Sequence, residues 1–192
     1  MNALFSLGGG NILEYAVGLY FDEASESKFN RLIGQIAEGG VNDYMLEHRI
    51  APHITLAYVS AEGAGALIEV LDKNIAGIHQ GEIFWGSIGT FVPHVVYAAP
   101  VLNEYLHRLN VQINDLLRPV SEIPHGGGAY YLPYQWVPHT ALAVKMNQDE
   151  LRTAFSVIVN EFAAFGGVAE KLFLAECNPF KGVRTWGLAG SG

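Results

Sequence analysis

Two short stretches decide how this chain is interpreted: Pro52-His53-Ile54-Thr55-Leu56 and, further along, Pro138-His139-Thr140-Ala141-Leu142. Each is a Pro-His pair that opens an apolar run, and short apolar runs of this length are typical of buried strands. A single histidine on a strand is far more often a packing or surface residue than a catalytic one. Because the pair occurs twice, the sequence instead predicts a duplicated site.

The elements around the two stretches repeat in the same order. In the first half, residues 15–21 predict a strand, and a helix precedes the Pro-His pair, with an apolar stripe at Phe29, Leu32, Ile33 and Ile36. In the second half, a strand over residues 94–98 and a helix before Pro119 precede the second pair. Strands that alternate with helices predict an α/β or α+β domain. We expect one domain with two pseudo-symmetric lobes, residues 12–92 and 93–190, which exchange a strand and surround a central groove.

Composition limits the classes of partner. The chain has 192 residues, of which 50% are hydrophobic and 16% charged, as in a folded globular protein. Its formal net charge of −8 disfavours binding along a nucleic acid duplex, because that mode needs a basic surface. A small anionic ligand stays compatible with this charge, since a local pocket can be positive on an acidic protein.

Cysteine content and hydropathy suggest a compartment. Cys177 is the only cysteine, which excludes an intramolecular disulfide and a multi-cysteine metal site. Residues 1–11 lack the cationic start of a targeting segment, and no stretch reaches the ~18 uninterrupted apolar residues of a membrane span. The sequence therefore predicts a cytoplasmic protein without membrane contact.

The histidines and the threonine offer acid–base chemistry. In a regular strand His53, Thr55 and Ala57 share one face, whereas Ile54, Leu56 and Tyr58 share the other. Imidazole titrates near neutrality, so one histidine can accept a proton while its counterpart donates one. A threonine hydroxyl on the same face can donate to a phosphate oxygen. This set is sufficient to open a cyclic phosphodiester, so we expect no metal and no cofactor.

The two stretches resemble the His-x-Thr/Ser motifs of the 2H phosphoesterase superfamily, which includes cyclic phosphodiesterases and 2′-5′ RNA ligase-like proteins. The resemblance extends over nearly the whole chain through the order of elements. It implies an α+β fold in which two lobes of mostly antiparallel strands, with helices outside, surround a central groove. It also implies metal-independent chemistry on 2′,3′-cyclic or 2′-5′-linked phosphates, with a small nucleotide or an RNA end as partner. His53 and His139 are then the catalytic pair, and Thr55 binds phosphate.

The second motif departs from the family pattern. Ala141 stands two residues after His139, where the family has a hydroxyl. Thr140 is adjacent, and it reaches the same substrate only if the strand bulges there, because neighbouring side chains point to opposite faces. We retain Thr140 as a predicted substrate contact on that condition.

Further substrate contacts are predicted from the region before the second motif and from the C-terminal strand. Tyr134 and Trp136, with Tyr130 and Tyr131, surround a long loop and can stack on a base. Arg184 is a predicted phosphate partner.

Two other functions compete with the phosphoesterase. Ala141 favours a catalytically weakened protein that binds a nucleotide or RNA end without turnover. A two-histidine metal site is the third hypothesis, but the sequence offers no carboxylate or third histidine at ligand spacing near either motif.

Overall fold

The computed structural model describes residues 12–125 and 127–190, so the N-terminal residues 1–11 considered above lie outside the described part. The described residues form seven strands: β1 Leu13–Phe21, β2 Ile54–Ala61, β3 Gly81–Phe91, β4 Val95–Pro100, β5 Thr140–Ala143, β6 Phe165–Glu176 and β7 Lys181–Gly187. They also form five α-helices: α1 Glu23–Glu38, α2 Tyr44–Glu47, α3 Ala64–Asn74, α4 Glu104–Leu117 and α5 Gln148–Glu161.

All seven strands join one antiparallel sheet. Its path is β2-β1-β6-β3-β4-β5, and β7 pairs with β6 beside that path. Strand β6 comes from the second half of the chain, yet it pairs with β1 of the first half along most of its length and with β3 at its N-terminal end. The Pro-His strands β2 and β5 therefore lie at opposite ends of the path. This topology confirms the predicted α+β class and antiparallel sheet; the lobe boundaries stay a prediction.

The helices cover one face of the sheet and enclose the core. Trp85 of β3 is completely buried there, with its ring centroid 4.9 Å from those of Phe21 and Phe29 and 5.1 Å from that of Phe165. Truncation of a buried aromatic ring of this kind costs about 3–5 kcal/mol of stability. This cluster fixes β1, β3 and β6 to one another beneath α1.

The start of α1 is tied to the strand that joins the two halves. Asp22 is its N-cap, and its carboxylate accepts hydrogen bonds from the Ser25 amide at 2.9 Å and the Val168 amide of β6 at 2.6 Å. Burial alone would raise the pKa of the Asp22 carboxyl, but the hydrogen bonds from Val168 and Ser25 lower it overall. The cap thus stabilises both the helix end and the position of β6.

A β-bulge interrupts the alternation of β2. The pairing of β2 with β1 skips Leu56, which stands between Thr55 and Ala57 without a partner. Ala57 consequently packs in the helix-side core, and Tyr58 lies on the opposite face with a separate small cluster of buried residues. The predicted placement of Ala57 and Tyr58 was therefore wrong, because strict alternation ends at the bulge.

The second Pro-His strand has the same irregularity. The pairing of β5 with β4 skips Leu142, which stands between Ala141 and Ala143. In each strand the unpaired residue, Leu56 or Leu142, directly follows the third residue of the His-x-x motif. The backbone of the two motifs is alike even where their side chains differ.

Candidate active site

The face of the sheet away from the helices, called the groove face below, carries both histidines. Tyr131, on the loop before β5, lies between the two motifs: its ring centroid is 5.7 Å from that of Tyr58 and 6.4 Å from that of His139. Burial lowers the pKa of the His53 imidazole, and the charge of His139 adds to that effect. Both histidines therefore lie on the groove face of the sheet.

Each imidazole is fixed by the backbone that precedes it. Nδ1 of His53 lies 2.7 Å from the Ala51 carbonyl oxygen, and Nδ1 of His139 lies 2.8 Å from the Val137 carbonyl oxygen. A carbonyl only accepts, so Nδ1 bears the proton in each ring. The other nitrogen, Nε2, has no hydrogen-bond partner among the described residues and is free for proton transfer.

Aromatic rings surround His53. Phe180 stacks on the imidazole with centroids 5.3 Å apart, Phe173 meets it edge-on at 5.3 Å, and Tyr20 meets it edge-on at 6.4 Å. Burial lowers the pKa of His53 to about 4, against the opposing effect of the Ala51 hydrogen bond. His53 is therefore neutral over most of the accessible pH range.

His139 has its own aromatic surroundings. Phe91 meets its ring edge-on at 4.9 Å, and the ring of Tyr97 lies 5.4 Å away. Burial lowers the pKa of His139, and the hydrogen bond to the Val137 carbonyl opposes that effect. Both histidines are thus shielded from water on the sides that do not face the groove.

Thr55 lies on the groove face between His53 and the bulge. Its side chain is 8% exposed, and its hydroxyl makes no hydrogen bond to another described residue. Directly opposite in β1 is Gly18, where a Cβ would lie 2.3 Å from the Ile54 carbonyl oxygen and 2.7 Å from the Phe173 ring. Only glycine fits this close approach, and Phe173 uses the space to reach His53.

Two predicted substrate contacts are packing residues in the structure. Thr140 is completely buried, and its hydroxyl accepts a hydrogen bond from the Trp85 indole at 3.1 Å on the helix side of the sheet. The unpaired residue of the β5 bulge is Leu142, two residues after Thr140, so the bulge does not turn Thr140 towards the groove. Trp136 is 7% exposed, and its indole donates to the Thr55 carbonyl oxygen at 3.0 Å. Trp136 therefore supports the backbone of the first motif and does not offer a stacking surface.

The edge of β2 at this point is bound by the second half of the chain. Asn110 and Asn114 of α4 both donate to the Leu56 carbonyl oxygen, at 2.7 and 3.2 Å, next to the Trp136 bond. These bonds satisfy carbonyls that an edge strand would otherwise expose. The backbone of the first motif is therefore positioned by residues that surround the second.

Two other predicted contacts lie away from the groove. Tyr134 is 89% exposed and packs on His107 of α4, with ring centroids 5.2 Å apart. Arg184 forms an ion pair with Asp72 of α3 at 2.9 Å and lies over the Trp186 ring. Because β7 pairs Arg184 with a core residue of β6, its side chain points to the helix side. The structure therefore brings neither residue to the histidines.

A cavity of about 590 Å³ opens beside His139. It is lined mainly by apolar and aromatic residues, including Phe91, Tyr130, Tyr131 and His139. Tyr130 and Tyr131 belong to the aromatic group that the sequence predicted near the site. The cavity is large enough for a flat heterocycle and offers aromatic faces to it.

Sequence reasoning missed the rest of the groove face. Tyr58 donates to the Glu14 carboxylate at 2.5 Å, and Tyr20, Phe173 and Phe180 form the surroundings of His53. Alternation within β1 and β6 was the available signal, since it places Tyr20 and Phe173 on one face. The same alternation puts Lys171, which pairs with Tyr20, on the groove face as a cation that the sequence did not single out.

Among the described residues, no group of three or more His, Cys, Asp or Glu is close enough together to hold a metal ion. No helix in residues 12–125 and 127–190 is both long and apolar enough to cross a membrane.

Comparisons with known proteins match the fold. No protein-family model matches the chain, and no curated protein matches its sequence. Among solved structures, TT0787 of Thermus thermophilus has a TM-score of 0.61 at 13% identity, covering 94% of this chain and 100% of that one. E. coli LigT in complex with 3′-AMP has a TM-score of 0.55 at 11% identity, covering 93% of this chain and 99% of that one.

A further solved structure, described as a phosphoesterase, has a TM-score of 0.54 at 11% identity and covers 92% of this chain and 98% of that one. At such identities the likeness concerns the backbone alone, but it extends over almost the full length on both sides. It agrees with the resemblance that the two Pro-His motifs carry in the sequence. The chain therefore has the fold of E. coli LigT.

Proposed function

We propose that this protein is a phosphoesterase that acts on 2′,3′-cyclic or 2′-5′-linked phosphates of small nucleotides or RNA ends, without a metal ion. One observation carries the proposal: two imidazoles of one groove are each held at Nδ1 by a backbone carbonyl, which leaves two Nε2 atoms for proton transfer. Hydrolysis of a cyclic phosphodiester needs one group to remove a proton and one to supply it.

We infer the roles of the histidines from their environments. His53 is enclosed by aromatic rings, and burial lowers its pKa to about 4, so it is the neutral ring and the general base. We assign His139, whose charge opposes a charge on His53, as the general acid. This assignment goes beyond what the sequence allowed.

The reaction then follows from these positions. Nε2 of His53 takes a proton from water as the water oxygen bonds to phosphorus. The bond from phosphorus to the ribose 2′ oxygen breaks, and Nε2–H of His139 gives its proton to that oxygen. The Thr55 hydroxyl donates to a non-bridging phosphate oxygen, where negative charge accumulates in the transition state.

The cavity beside His139 supports a nucleotide as substrate. Its aromatic lining can stack on a base while the phosphate lies between the two imidazoles. LigT, which shares the fold, binds 3′-AMP in its crystal structure, and a 3′-phosphate is one product class of cyclic phosphate opening.

Replacement of either histidine tests the proposal. We expect His53→Ala and His139→Ala each to lower kcat/KM for hydrolysis of a 2′,3′-cyclic nucleotide by about 10³-fold or more, because each removes one proton-transfer group. His48→Ala is the matched control, since His48 is the exposed C-cap of α2 and packs on Tyr44. Circular dichroism checks that each variant is folded. Full activity in either groove variant contradicts the proposal.

A second function is favoured by Ala141, which leaves the second motif without its hydroxyl. In this alternative the groove binds a nucleotide or RNA end and does not turn it over. Titration with a 2′,3′-cyclic nucleotide, followed by analysis of the recovered ligand, separates the two: intact ligand after prolonged incubation supports binding alone, and a ring-opened monophosphate supports the enzyme.

A further inference from the structure

The two motifs differ in where a hydroxyl lies relative to the strand pair. In the first lobe, Thr55 carries the hydroxyl on the Pro-His strand, and the residue directly opposite on β1 is Gly18. In the second lobe the Pro-His strand has Ala141, and the residue directly opposite on β4 is Tyr97. The hydroxyl missing from one strand is therefore present on its neighbour, at the same register position.

Tyr97 lies on the groove face. Its neighbours Val96 and Ala98 are in the helix-side core, so the alternation of β4 directs Tyr97 the other way. Its ring is 4.6 Å from that of Phe91 and 5.4 Å from that of His139. The side chain is thus held against the second histidine of the groove.

The hydroxyl of Tyr97 is directed over β3. A Cβ at Gly89, the residue opposite on β3, would lie 2.7 Å from the Tyr97 hydroxyl oxygen and 2.6 Å from the adjacent ring carbons. Glycine at this position therefore makes room for the ring to lie flat along the groove face. Strand β3 lies between β4 and β6 in the sheet, so the hydroxyl is directed from β4 towards the central strands β6 and β1.

The Tyr97 hydroxyl is also free to bind a ligand. It makes no hydrogen bond to any other described residue, although the side chain is only 8% exposed. A hydroxyl without a partner gains more from a ligand oxygen than one already bonded. Burial raises the pKa of Tyr97, so the hydroxyl keeps its proton and acts as a donor across the neutral range.

We propose that Tyr97 is a catalytic residue that donates its hydroxyl to the substrate phosphate in place of the absent motif hydroxyl at position 141. The inference rests on the proposed function and extends it. Thr55 and Tyr97 then hold the two non-bridging phosphate oxygens from opposite lobes, and the groove has two donors despite the incomplete motif. Because Tyr97 supplies this donor, we expect Ala141 not to weaken the activity.

Removal and relocation of the hydroxyl test this inference. Tyr97→Phe keeps the ring and its packing, and we expect it to lower kcat for a 2′,3′-cyclic nucleotide by about a hundredfold with a much smaller change in KM, as for loss of one transition-state donor. Adding Ala141→Thr to that variant restores about tenfold of the loss or more, because it returns a hydroxyl to the motif position. Tyr44→Phe, on α2 outside the groove, is the matched control.

A binding measurement separates failure of this inference from failure of the proposed function. Calorimetry compares 3′-AMP with adenosine: Tyr97→Phe weakens binding of 3′-AMP about tenfold and leaves adenosine binding unchanged. If the unmodified protein hydrolyses the cyclic nucleotide and Tyr97→Phe has unchanged kcat and unchanged affinity for 3′-AMP, the inference is overturned and the proposed function stands. If the unmodified protein neither hydrolyses the cyclic nucleotide nor binds 3′-AMP, both are overturned.

Discussion

The two Pro-His motifs share a backbone and differ in their side chains. Both have a carbonyl that fixes Nδ1 and a bulge at the same position, yet only the first has a hydroxyl two residues after its histidine. The first motif faces Gly18 across the strand pair, and the second faces Tyr97. The comparison shows that the two backbones place their histidines alike, whereas the hydroxyl groups nearby differ with individual side chains.

Gly18 stands where β2 and the Phe173 ring approach β1 closely. We expect Gly18→Ala to lower the free energy of unfolding by about 3 kcal/mol, because its Cβ would lie 2.3 Å from a backbone oxygen that cannot move without breaking the strand pair. Gly182→Ala in β7 is the control, since nothing lies within 4 Å of a Cβ there. Urea denaturation measures both. Equal stability of the two variants would show that the close approach does not constrain the lobe.

The two threonines of the motifs lie on opposite faces of the sheet. We expect replacement of Thr55 to lower kcat and replacement of Thr140 to lower stability. Thr55→Ala lowers kcat about a hundredfold, equivalent to about 2.7 kcal/mol, through loss of a phosphate donor. Thr140→Val leaves the Trp85 indole without its acceptor and lowers stability by about 1–3 kcal/mol, but the folded fraction keeps its kcat.

Kinetics and urea denaturation on both threonine variants check the contrast. A large loss of kcat in folded Thr140→Val would indicate that Thr140 acts in the groove and would contradict its assignment to the core.

Acid distinguishes the two histidines. The folded pKa of His53 is about 4 and its ordinary value is 6.5, so between these values the unfolded chain binds more protons than the native protein. Stability is therefore fully present above pH 6.5 and declines as the pH falls towards 4. At about pH 5 the loss from His53 alone is about 2 kcal/mol.

Urea denaturation of the unmodified protein and of His53→Gln at about pH 8 and about pH 5 measures this difference. His53→Gln should lose less stability on acidification, with His139 accounting for part of what remains, since its pKa is also lowered by burial. An unchanged pH dependence in His53→Gln would show that His53 is not shielded from water as its aromatic neighbours indicate.

The sequence predicted the fold and the two histidines that share the groove because those features follow local rules. Repeated element order and strand-length apolar runs were sufficient for the α+β class, and the Pro-His pairs singled out His53 and His139, whose catalytic roles stay predictions. Alternation gave the correct face for Thr55 because that residue precedes the bulge. Beyond Leu56, alternation gave the wrong face for Tyr58, since a bulge depends on pairing with another strand.

The remaining differences arise from contacts between residues distant in sequence. Trp136 and Arg184 were predicted to meet substrate because of their residue types, but their partners, the Thr55 carbonyl and Asp72, are far away in the chain. Tyr97 and Gly89 were not singled out, because their role depends on which strands are adjacent. No local pattern contains that information.

The pair of bulges has a consequence for how such a protein changes over time. A point substitution can convert a threonine to an alanine in one motif, but it cannot remove the extra residue at Leu56 or Leu142; that requires a deletion that would reverse every later side chain in the strand. The register of the two motifs is therefore far harder to lose than their chemistry. Chains only 11–13% identical to this one have a similar fold over almost their full length.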